Sequence, residues 1–75
     1  MISKEAAMRV HRRLVRRGEY GAARMVLRGL RRGVVSLGLS DAGHTAEVAL
    51  REAGATFTVV RRGGVIYCGI IQEAA

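Results

Sequence analysis

Nine arginines fall within the first 32 residues: Arg9, Arg12, Arg13, Arg16, Arg17, Arg24, Arg28, Arg31 and Arg32. A guanidinium presents a rigid fork of donors that matches phosphate oxygens and stacks on bases, so this residue type at this density suits the holding of a polyanion. Spacing sharpens the point. A solvated helix face normally intersperses Glu with Arg four residues apart, which steadies the helix. Here like charges stand at Arg9–Arg13, Arg12–Arg16, Arg24–Arg28 and Arg28–Arg32 instead. A repeated, mildly destabilising choice points to a use. The asymmetry runs through the whole chain: residues 1–32 hold ten basic side chains against two acidic ones, a balance of +8, whereas residues 33–75 hold three against four, a balance of −1. The first half is built to attract phosphates or acidic surfaces and the second to hold the fold.

Other reactive side chains form no constellation. His11 and His44 have no Cys, Asp or Glu at ligand or triad spacing, and both read as structural. Cys68, the single cysteine, alternates with apolar neighbours and reads as a small buried hydrophobe; it allows no intrachain disulfide and no zinc site. Glu47 and Glu52 stand five apart on a helix and diverge, so they are solvated or paired with Arg51. No Gly-rich loop has phosphate-cradling spacing between a strand and a helix. We therefore expect no catalytic residues, no cofactor and no metal, in a protein that is not an enzyme. With 75 residues there is room for one domain, a thin core of Val, Leu, Ile and Ala, and no deep cleft, which makes a bound partner or a homodimer a reasonable expectation. The N-terminal stretch lacks a continuous apolar run and nothing approaches a membrane span, so a cytoplasmic location is expected.

Two helices must carry the arginines. From Ser3, a natural N-cap, to Arg17, before Gly18, the pattern is helical, with Ala7, Val10, His11 and Leu14 on one side and Arg9, Arg12, Arg13, Arg16 and Arg17 opposite. A second helix, from about Glu19 to Arg32, repeats the logic with Tyr20, Ala23, Val26, Leu27 and Leu30 on its apolar side. The short Arg17-Gly18-Glu19 link should fold the two into an antiparallel hairpin, a basic unit over 1–32.

Residues 33–75 supply the rest of an α+β domain. Val34 to Leu39 is β-branched and alternating and suits a short strand, with helix left open. Ser40 or Asp41 caps a third helix whose Ala42, Ala46, Ala49, Leu50 and Ala53 share a side, ending at Gly54. Ala55 to Arg62 and Val65 to Gln72 then form a β-hairpin about a two-residue Gly63-Gly64 turn. That register pairs Val59 with Cys68 and Phe57 with Ile70, and puts Phe57, Val59, Ile66, Cys68 and Ile70 on the core face. Glu73-Ala74-Ala75 reads as a frayed end. The hairpin's other face, with Thr56, Thr58, Val60, Arg62, Tyr67 and Ile71, suits solvent or a protein contact.

Leu37-Gly38-Leu39-Ser40, the helix ending in Leu50-Arg51-Glu52-Ala53-Gly54, and the hairpin tip Arg61-Arg62-Gly63-Gly64 together resemble the second half of a bacterial winged helix-turn-helix regulator, over Gly33 to Ile71. The resemblance implies that the third helix enters the DNA major groove and that the wing touches the backbone or minor groove. Asp41, His44, Thr45 and Glu47 would then face the bases, and Arg61 and Arg62 the phosphates. The expected function is a small basic nucleic-acid-binding protein, DNA before RNA, with a regulatory role in transcription. The alternative is a small modulator or inhibitor, of the kind that phages and mobile elements encode, docking on an acidic surface of a larger protein. A membrane-surface module is the weakest class, because the apolar helix faces lack Trp and Phe and are needed to cover the hairpin.

Overall fold

The computed structural model describes residues 1–60 and 64–72. In chain order the elements are β1 (Ile2–Ser3), α1 (Lys4–Arg16), α2 (Tyr20–Arg32), β2 (Val34–Leu37), α3 (Asp41–Glu52), β3 (Thr58–Val60) and β4 (Val65–Ile71). The architecture is α+β, with three helices over a small sheet and a C-terminal hairpin, as expected.

Local chemistry starts and stops the helices where the sequence indicates. The Ala6 N–H donates to Ser3 Oγ at 3.2 Å, and the Gly43 N–H donates to Ser40 Oγ at 3.0 Å, so Ser40 and not Asp41 caps α3. Gly18, at φ 77°, reverses the chain between α1 and α2, and Gly33, at φ 83°, turns α2 directly into β2. Both sit in the left-handed region, where a side chain would be strained. His11 Nδ1–H donates to the Ala23 carbonyl oxygen at 3.0 Å, tying α1 to α2 across the link.

The central strand is β4. It pairs antiparallel with β2 (Val35 opposite Cys68, Leu37 opposite Ile66) and with β3 (Thr58 opposite Tyr67, Val60 opposite Val65), and parallel with β1 (Ile2 opposite Ile70). The inner face presents Ile2, Val35, Leu37, Ile66, Cys68 and Ile70 to Ala7, Val10 and Leu14 of α1, Ala22, Ala23 and Val26 of α2, and Ala46, Ala49 and Leu50 of α3. Leu14, Leu37 and Leu50 are the largest side chains fully enclosed.

Four features depart from the sequence reading. The hairpin register differs by two residues: Val60 opposite Val65 leaves residues 61–64 for the connection in place of a two-residue turn, and Val59 lies opposite Ile66, not Cys68. A slip of two leaves the inward alternation of β4 unchanged, so Cys68 stays in the core. The strand before the turn is shorter than expected because the residues ahead of it serve other contacts. The Ala55 N–H donates to the Leu50 carbonyl oxygen, and the Thr56 carbonyl and hydroxyl oxygens accept from the Met1 ammonium at 2.7 and 2.6 Å. On α2 the buried side is Ala22, Ala23, Val26 and Gly29, while Tyr20 is 66% exposed. Small residues, not the aromatic, face the core because α2 approaches β2 closely at Gly29. The strand β2 stops at Leu37, and Leu39 is 92% exposed. The turn residue Gly63 and the end Glu73-Ala74-Ala75 lie outside the described residues.

Candidate nucleic-acid interface

The nine N-terminal arginines all reach solvent. The buried stripe Ala7, Val10 and Leu14 anchors α1 on the core, which forces Arg9, Arg12, Arg13 and Arg16 outward on the other arc. Their spacing of i, i+3, i+4 and i+7 gathers them on one face, where they line an open trough of about 400 Å³. No acidic side chain lines it. The C-terminal half of a helix favours cations, and Arg13 and Arg16 sit in the last turn of α1 as Arg31 and Arg32 do in α2. That dipole term offsets part of the repulsion among the guanidinium groups.

The arginines of α2 are divided. Arg28 and Arg32 line a second, smaller groove with Met25, Gly29, Val34 and Ser36, while Arg17, Arg24 and Arg31 are exposed outside both. Arg61 and Arg62 lie outside the described residues. The nine described candidates therefore fall into an α1 trough, an α2–β2 groove and isolated side chains. The α2–β2 groove was not anticipated from sequence. Its one signal was Gly29, spaced four residues from Met25 and from Gly33, since a glycine inside a helical pattern marks a close approach.

The acidic helix α3 is differently occupied. Arg51 Nε donates to Glu47 Oε2 at 3.0 Å, and the Arg51 guanidinium lies 4.8 Å over the Phe57 ring. Arg51 thus braces the α3 end against the loop leading to β3, and Glu47 is engaged within its own helix. Asp41 and His44 are exposed and Thr45 is half-buried. Among the described residues Glu47–Arg51 is the one ion pair, and no three His, Cys, Asp or Glu side chains gather as a metal site. No described helix is long and apolar enough to cross a membrane. Cys68 is fully buried, and burial raises its thiol pKa above the ordinary 9.0.

Comparison with protein-family models, with curated proteins and with solved structures gives no match.

Proposed function

We propose that this protein binds nucleic acid, duplex DNA before RNA, by seating backbone phosphates on the arginine face of α1, with α2 adding further contacts, in a regulatory and not a catalytic role. The observation that carries this is the trough: four guanidinium groups on one helix face, exposed and with no acid among them. The face α3 offers is the poorer candidate, since Asp41, Glu47 and Glu52 outnumber its one Arg and acidic side chains repel phosphate. Phosphate contacts of this kind position a protein without reading bases, so affinity should depend strongly on salt and weakly on sequence.

The test is a titration of labelled duplex DNA, single-stranded DNA and structured RNA over a range of sodium chloride concentrations. With about six phosphates neutralised on duplex DNA, log K should fall against log salt with a slope near −5. Arg9→Ala with Arg13→Ala should bring that slope to about −3, each lost phosphate contact removing about one unit. Absence of binding to all three, or binding indifferent to salt, would sink the proposal.

A further inference from the structure

Among the described residues β2 has β4 as its one strand neighbour and so lies at the edge of the sheet. The Ile70 N–H donates to the Gly33 carbonyl oxygen at 2.8 Å, which sets the phase of the β2–β4 ladder. Gly33 and Ile70 form a hydrogen-bonded pair, so by antiparallel alternation Val35 and Leu37 also direct their amides at β4. Val34 and Ser36 direct theirs the other way, toward the open edge. A shallow groove of about 40 Å³ accompanies that edge, lined by Met25, Arg28, Gly29 and Arg32 of α2 and by Val34 and Ser36 themselves. The side chains of Val34 and Ser36 are exposed on the sheet face away from the helices.

We propose that this edge takes an extended acidic segment of another protein by strand addition. The added strand would pair with the N–H and C=O groups of Val34 and Ser36. Its side chains alternate: those on the helix side meet Arg28 and Arg32, and those on the other face lie beside Val34 and Ser36. The segment that fits is acidic at every second residue and apolar or small between. A second copy of this chain is the wrong occupant. Pairing β2 with itself about a two-fold axis would crowd Arg28 and Arg32 of both copies along one seam, the like-charge arrangement by which basic side chains guard an edge strand against self-association. An acidic strand turns the same guard into an attraction.

The probe is a labelled, end-blocked peptide of alternating Glu and Val, about six residues long. It is compared with its version N-methylated along one backbone edge and with a Lys-Val counterpart. Binding is followed by anisotropy and by amide hydrogen exchange of the intact protein. The Glu-Val peptide should bind and slow exchange at the Val34 and Ser36 amides, with the N-methylated form about tenfold weaker and the Lys-Val form not bound. Ser36→Pro deletes an edge-facing donor at a position an edge strand tolerates, and should weaken binding about tenfold. If that variant fails to fold, the N-methylated peptide makes the same test on the unaltered protein. Equal binding of the methylated peptide, or protection absent from Val34 and Ser36, overturns the proposal as mere charge attraction. Protection of those amides by duplex DNA instead of the peptide gives the edge to nucleic acid and overturns it too. So does a dimer in light scattering with both amides already protected.

Discussion

Cys68 stands in the middle of β4 with its side chain enclosed by both layers. Burial is the main cause of its raised thiol pKa, and the Met1 ammonium and Arg51 oppose that only in part. The folded protein therefore holds a proton that the unfolded chain gives up. This contribution to stability is complete below the ordinary thiol value of 9.0 and declines as pH rises through it toward the folded value. Cys68→Ala should unfold at lower urea at neutral pH, from lost packing, yet lose less stability than the native protein between neutral and alkaline pH. Parallel alkaline losses in the two proteins would refute the assignment. Gly29 is the other position where a single atom decides. A Cβ there would collide with Val35 Cγ2 and stand 3.0 Å from Val35 Cα, and Val35 is fully buried with no room to withdraw. Gly29→Ala gains about 1 kcal/mol of helix propensity against about 1–3 kcal/mol of overpacking. The expected net loss is up to about 2 kcal/mol, each 1 kcal/mol lowering Tm by about 4–8 °C.

Between α1 and α2 the same residues that make the face basic weaken the helices that display it. Arg12 has Arg16 one turn ahead and Arg9 one turn behind, and Arg24 has Arg28 ahead, with no acidic side chain at those spacings. Arg12→Glu and Arg24→Glu should each replace a repulsion with an attraction. Together they should raise stability by about 0.5–1 kcal/mol in thermal or urea unfolding while duplex DNA binding weakens. Improved folding with undiminished binding would mean that the stacked charges are not the binding face. All three helices were legible because their 3.6-residue periodicity and terminal glycines agree with one another, with a serine cap besides at the start of α1 and of α3. What was not legible depends on partners distant in sequence. The two-residue strand β1 exists because Ile2, at 5% exposure, packs in the core and pairs with Ile70. The hairpin register follows from Ala55 and Thr56 being held by Leu50 and Met1. The α1 trough could be drawn from spacing alone, whereas the α2–β2 groove requires one stripe of α2 to lie along an edge strand, which no local pattern announces.

Across the whole molecule, charge and core are separated by layer. The helices carry the arginines of residues 1–32 outward, while among the described residues the sheet's outer face presents Val34, Ser36, Thr58, Tyr67 and Ile71. A net charge of +7 on 75 residues, gathered on two helices, opposes folding through its own repulsion. Salt relieves that repulsion, because the screening length falls from about 10 Å at about 0.1 M to about 3 Å at about 1 M. Tm should therefore rise with sodium chloride; each 1 kcal/mol of relief corresponds to about 4–8 °C in a domain of this size. Phosphate at matched ionic strength should raise Tm further, since an anion that binds only the folded protein adds stability by mass action. Each Arg→Glu change removes two units of charge, so Arg12→Glu with Arg24→Glu takes the net charge from +7 to +3. The doubly changed protein should show a flatter chloride response and lose most of the extra gain from phosphate. A native Tm indifferent to both salts would mean that the arginines are already neutralised within the folded chain, and an open phosphate-binding face on α1 would then be untenable.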